Sequence, residues 1–159
     1  MPNDLSNGFK ETELGPLPEA WAVVRLGEVC QKPQYGYTAS AIEQPVGPKL
    51  LRITDIGEQG VNWSTVPYCE CPKDVIEKYG LQRGDLLIAR IGAMAGQTYL
   101  IIECPQAVFA SYLIRVKTKS DLFPGYLSYF MQTYIYWRQI AVNKGGRLKQ
   151  GGSCVTRVR

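Results

Sequence analysis

Apolar and polar residues in this chain alternate in short runs broken by Gly and Pro, and this pattern predicts a series of short strands closed by a helix. The fold is expected to begin near Pro16, with Trp21 as a packing anchor, a strand over 22–26 and a helical turn around 27–30. Leu50 to Ile56 alternates, placing Leu51 and Ile53 on one face and Arg52 and Thr54 on the other, as a half-buried strand requires. Residues 57–60 read as a turn, 61–68 as an edge strand stopped by Pro67, and 73–79 as a short helix ended by Gly80. Leu86 to Ala89 is apolar without alternation, so both its faces should be covered. Strands are expected over 98–102, 107–109 and 112–117. Pro124 then opens one long helix to about Val142, with Leu127, Phe130, Tyr134, Trp137 and Ala141 as its apolar stripe.

These elements make an α+β domain: a mixed, mostly antiparallel twisted sheet of short strands with one long C-terminal helix. Residues 1–15 read as a flexible lead-in, 16–143 as the domain and 144–159 as a basic tail without a packing pattern. The segment from Gln31 to Lys49 holds Pro33, Gly36, Pro45, Gly47 and Pro48, so it is a loop for most of its length. It also carries Lys32, Tyr35, Tyr37, Thr38 and Lys49, donors and stackers of the kind found in functional loops.

The composition is that of an ordinary globular domain, with 45% hydrophobic and 20% charged residues in 159. No apolar run reaches the roughly 18 residues of a membrane span, and the N-terminus does not resemble a signal peptide, which places the chain in the cytoplasm. The net charge of +4 is unevenly spread: Lys144 onward holds five cations and no acid, and the preceding residues hold 13 cations against 14 acids. Binding to a polyanion would therefore run through a local patch rather than the whole-chain charge.

Chemistry is limited by what is missing. The chain has no histidine, which removes the commonest general base and the Ser-His and Cys-His pairs. Five cysteines include one C-x-C, at Cys69 and Cys71, without a second pair at zinc spacing, so no metal or cofactor is expected. Gly92-Ala93-Met94-Ala95-Gly96-Gln97-Thr98 imitates a phosphate loop but has three residues between its glycines where four are needed, and Gln97 stands in place of the lysine. No Asn/Asp-Pro-Pro-Tyr/Phe site and no Asp/Glu-x-Lys element marks a methyltransferase or a metal-dependent nuclease. The acids, Asp55 and Asp85 among them, sit singly at strand ends or turns, where capping and pairing with a nearby Arg or Lys is their ordinary role.

Five blocks in order carry a family resemblance: Leu17-Pro18-Glu19-Ala20-Trp21 through Arg25-Leu26-Gly27-Glu28; Leu51-Arg52-Ile53-Thr54-Asp55-Ile56; Gly84-Asp85-Leu86-Leu87-Ile88-Ala89-Arg90 with Gly92, Ala93 and Gly96; Phe109-Ala110-Ser111-Tyr112-Leu113-Ile114-Arg115; and Tyr126-Leu127-Ser128-Tyr129-Phe130. In these the chain resembles one target recognition domain of the specificity subunit of type I restriction-modification systems. The resemblance implies a non-catalytic reader of double-stranded DNA that directs modification (methyltransferase) and restriction subunits. A full member has two such domains on long spacer helices. The segment Gly145 to Cys154 departs from the family's continuation and reads as a change of frame or an engineered end, so a second half-subunit supplied separately is a possible partner.

On this footing the DNA-facing set is Lys32, Tyr35, Tyr37, Thr38, Lys49, Arg52, Thr54, Arg90, Gly92, Gly96, Gln97, Lys144 and Arg147. Arg52 and Arg90 are the expected guanine readers. Lys32, Lys49, Lys144 and Arg147 suit phosphates, and Tyr35, Tyr37 and Thr38 suit backbone or thymine methyls. A protein-interaction module docking through the helix stripe, and an inactive fragment, are the alternatives.

Overall fold

The computed structural model describes residues 8–143 and the backbone of the strand Cys154–Val158. Its centre is a four-stranded antiparallel sheet. Leu113–Val116 lies between Gln34–Tyr35 and Leu86–Ala89, and Thr98–Leu100 closes the far edge. A parallel pair, Lys49–Leu51 with Ala107–Phe109, stands beside it. The expected α+β class with mostly antiparallel pairing is observed.

The unalternating strand Leu86–Ala89 has the covered faces that its sequence predicts. Leu86 enters one core with Val29, Val116, Leu122, Leu127 and Tyr136, and Leu87 enters a second with Leu51, Phe109 and Leu113. Successive side chains of a strand point to opposite faces, so two adjacent leucines reach two cores. Each such burial contributes roughly 1.5–3 kcal/mol.

One position in this sheet breaks the apolar rule. Arg115 lies opposite Leu87 on one side and Gln34 on the other, and is 6% exposed. Its Nη1 donates to the Asp85 carboxylate at 3.1 Å and to the Gly80 carbonyl at 2.6 Å; its Nη2 donates to the Lys78 carbonyl at 2.8 Å and to the Gln34 side-chain oxygen. Asp85, 2% exposed, also accepts from the Gln82 N–H at 3.0 Å and faces Lys117 at 3.3 Å. The carbonyls of Lys78 and Gly80 are the unsatisfied end of the helix Lys73–Tyr79, so a buried cation completes that helix terminus. Turn capping and pairing, expected for Asp85, are both present.

Several elements differ from the sequence pattern. The strand expected over 50–56 ends at Leu51, because Leu50 and Leu51 are both buried and Arg52 caps a single 3-10 turn, Ile53–Asp55. The edge strand expected over 61–68 shrinks to Gly60–Val61, paired with Ile56–Gly57 in a hairpin. The long helix is two, Pro124–Phe130 and Tyr134–Asn143. Thr133 makes the break: its hydroxyl donates to the Phe130 carbonyl at 2.7 Å and accepts the Tyr136 N–H at 3.4 Å, the act of an N-cap. Restarting the helix turns Tyr136 and Ile140 into the core and leaves Tyr134 76% exposed, so the expected continuous stripe does not form.

The two ends also differ. Phe9–Lys10 pair with Leu17–Pro18, where a lead-in without regular structure was expected up to Gly15. Cys154–Val158 pairs antiparallel with Trp21–Arg25 inside the segment read as a tail without packing pattern. No helix among the described residues is long and apolar enough to cross a membrane.

Breaking the buried pair from one side should be costly. Asp85→Ala leaves Arg115 buried without its counter-charge and is expected to lower stability by about 3–5 kcal/mol in urea unfolding. Lys117→Ala, removing a partner that is 31% exposed, should cost less than about 1 kcal/mol. Equal losses would overturn the ranking.

Candidate nucleic-acid interface

The turn from Phe109 to Leu113 gathers three distant segments. The Ala110 N–H donates to the Leu51 carbonyl at 2.9 Å, which places Arg52 beside the turn. The Tyr37 N–H donates to the Phe109 carbonyl at 2.8 Å and the Gly36 N–H to the Leu113 carbonyl at 3.1 Å, which brings in the loop from Gln31 to Lys49. Arg90 donates from its backbone to the Tyr112 carbonyl at 3.0 Å, at the end of the central strand. Gly36 is needed for this approach, since a Cβ there would collide with the Ala110 carbonyl.

The two arginines are held differently. Arg90 is exposed, stacks over the Tyr35 ring at 4.8 Å and gives one Nη1 hydrogen to the Ser111 carbonyl at 3.2 Å. Tyr35 is itself 45% exposed, so the stacked pair faces solvent. Arg52 is clamped by Asp55, with Nε to Oδ2 at 3.0 Å and Nη2 to Oδ1 at 2.8 Å, while Oδ2 also accepts the Arg52 backbone N–H at 2.9 Å. The hydrogen bond to Asp55 holds the guanidinium pKa above its ordinary value. This clamp fixes the direction of the fork on a side chain that remains 41% exposed.

The remaining members of the expected set divide. Lys32, Thr38, Thr54 and Gln97 are exposed, and Gly92, with φ +71°, has open space around it. Tyr37 instead packs inward on Tyr79 at 5.4 Å. Lys49 also turns inward, donating to the Val66 carbonyl at 2.8 Å and lying 4.1 Å over the Tyr68 ring, so its geometry is that of a packing lysine rather than a phosphate contact. Gly96 is a packing glycine: φ is +93°, Trp137 and Ile140 lie 3.1 Å from where its Cβ would be, and its carbonyl accepts the Tyr136 hydroxyl at 2.7 Å. Burial pushes the Tyr136 hydroxyl above its ordinary pKa. Lys144 and Arg147 lie outside the described residues.

Sequence reasoning placed Ser111 in a turn and Tyr112 at the start of a strand and left both out of the DNA-facing set, although both lie in one of the five matching blocks. Tyr112 is 56% exposed. Beside the interface a groove of about 540 Å³ runs between the Ile56–Val61 hairpin, the Thr98–Leu100 edge and the first C-terminal helix, walled by Ile53, Ile56, Leu87 and Tyr99 with Gln97 and Gln132 at its polar side. Among the described residues no group of three His, Cys, Asp or Glu side chains is placed to hold a metal ion.

The cysteines behave as core groups. Burial pushes the Cys30 thiol up to about 11 and the Cys69 thiol up to about 12, the latter also through Cys71 beside it. A thiolate is the reactive form. Native-state alkylation of Cys30 at pH 8 is expected to be about 100-fold slower than in the unfolded chain, readable by mass spectrometry with iodoacetamide. Matching rates would show that the thiol is not held in the protonated form.

No protein-family model matches the chain. The protein named as the MjaX type I restriction enzyme specificity subunit of Methanocaldococcus jannaschii is 28% identical over 131 residues, which cover 79% of this chain and 31% of that one. The MjaVIII specificity subunit of the same organism is 36% identical over 86 residues, 51% of this chain and 19% of that one. The crystal structure of the HsdS subunit from Thermoanaerobacter tengcongensis superposes with a TM-score of 0.60 at 20% identity, covering 87% of this chain and 32% of that one. The chain thus spans about a third or less of the length of these proteins. The resemblance carried by the five blocks holds: in sequence this chain is similar to a part, up to about a third, of curated type I restriction enzyme specificity subunits, and in fold to a part of an HsdS subunit.

Proposed function

We propose that the chain is a duplex-DNA recognition domain, formed by residues 16–143, which carries out no chemistry itself and selects sequence for modification and restriction subunits. The observation that carries this reading is the Phe109–Leu113 turn, whose backbone bonds reach Leu51, next to Arg52, and Arg90, two arginines restrained by unlike means. Arg90 is stacked on Tyr35 and Arg52 is clamped by Asp55. An arginine with a fixed fork presents two donors to guanine O6 and N7 at little entropic cost, and this is the commonest specific contact in the major groove. Lys32 and Thr38, exposed on the adjoining loop, suit phosphates, which set position without setting sequence. Lys144 and Arg147 keep that role as part of the proposal.

The C-terminal helices favour a second, compatible contact. Phe123, Tyr129 and Tyr134 are each about three-quarters exposed there, a surface suited to a protein partner rather than to phosphate. Leu127 and Phe130 are buried and take no part in it.

A sequence-selected duplex and a salt series test the DNA reading. Arg90→Ala and Arg52→Ala should each cost on the order of 1–3 kcal/mol and relax selectivity at one base, whereas Lys32→Ala should weaken all sequences alike and reduce the salt slope by about one. Lys49→Ala is expected to lower the melting temperature and leave the salt slope unchanged. Equal weakening of every sequence by both arginine variants would remove base reading from the proposal.

A further inference from the structure

The turn that holds the arginines also presents an apolar surface for which guanine reading has no use. Tyr35 is 45% exposed, Tyr112 56% and Ile91 39%. Tyr35 lies under the Arg90 guanidinium at 4.8 Å, while Ile91 and Tyr112 neighbour Arg90 through the backbone: Ile91 follows it in the chain, and the Tyr112 carbonyl accepts its backbone N–H at 3.0 Å. Exposed apolar residues scattered singly need no explanation, but here three stand at backbone positions that converge on one exposed cation.

Arg90 is fixed in direction by the ring and by the Ser111 carbonyl at 3.2 Å. A base edge that meets its donors therefore brings the neighbouring base edge against the surrounding apolar side chains. In the major groove the apolar group on a base edge is the C5 methyl of thymine, and 5-methylcytosine carries the same group at the same position.

Building on the DNA reading, we propose that Tyr35, Ile91 and Tyr112 form an apolar collar that seats the C5 methyl of a pyrimidine next to the guanine contacted by Arg90. The collar responds to the methyl and not to the rest of the base. Thymine and 5-methylcytosine satisfy it, and uracil and unmodified cytosine do not. Burying one methyl contributes about 0.8 kcal/mol, or roughly a fourfold change in affinity. The domain would in this way distinguish C5-modified from unmodified DNA at one step of its site.

The experiment begins with selection of a preferred duplex by the whole chain from a random-sequence library, followed by mapping of the guanine whose replacement is tolerated by Arg90→Ala. The selected duplex is then rebuilt with deoxyuridine for each thymine in turn. The expected result is one thymine, adjacent to that guanine, whose replacement weakens binding about fourfold, restored by 5-methylcytosine in place of that thymine with guanine in place of its adenine partner, and lost in Tyr112→Ser or Ile91→Ser. Both side chains are exposed, and unchanged melting of the variants confirms their fold. Cytosine or a purine selected beside the guanine, a uracil effect spread evenly over the site, or one that persists in both variants would overturn the collar while leaving DNA reading in place. Failure to enrich any sequence would overturn the DNA reading, and the collar with it.

Discussion

The fold turns on a cation placed where an apolar side chain would be cheaper. Arg115 sits in the middle strand of the sheet, and its guanidinium joins the 82–85 turn through Asp85, the end of the helix Lys73–Tyr79 through two carbonyls, and the loop strand through Gln34. Its guanidinium carbon also lies 4.9 Å from the centre of the Phe109 ring, at the start of the Phe109–Leu113 turn. A buried pair of this kind gives little net stability compared with well-packed hydrophobic residues, yet it is satisfied only when all its partners are in place. It therefore acts as a register pin: a shift of one residue in the middle strand would send the charge to the opposite core.

The surface around Arg90 is tied to that pin. Tyr35 is next to Gln34, so the residue that stacks under Arg90 is positioned by the residue that satisfies Arg115. The Phe109–Leu113 turn is held from beneath by buried Phe109 and Leu113, and from the sides by backbone bonds to Leu51, Tyr37, Gly36 and Arg90. Side chains on a turn so braced lose less freedom in any contact than the same side chains on a free loop. This contrasts with Gly92, whose surroundings are open, and it separates the two glycines that the sequence presents as a matched pair: Gly92 gives room, whereas Gly96 gives close packing to Trp137, Ile140 and Tyr136.

Legibility followed the range of the interaction. The helix ended by Gly80, the covered strand Leu86–Ala89 and the Arg52–Asp55 pair are written in spacings of a few residues, and each was readable. The helix break at Thr133 was local too, but a polar residue at one position was outweighed by an apolar stripe that fitted a continuous helix on either side of it. Lys49 illustrates a further kind of miss. Its neighbours suggest a solvated cation, and only the fold brings the Tyr68 ring and the Val66 carbonyl against it.

By itself the sequence determined the class of the domain, the order of its elements and the segments that matter, because periodicity, turn chemistry and block order are properties of neighbours in the chain. Only the tertiary structure decided which arginines face solvent and which brace the core. Arg115 and Arg90 each end or occupy an apolar strand, and nothing within a few residues separates them. The difference lies in partners such as Gln34, 81 residues from Arg115, and Ser111, 21 residues from Arg90. Burial and partnership of a charge are set by contacts distant in sequence, so the placement of each arginine is a property of the folded chain.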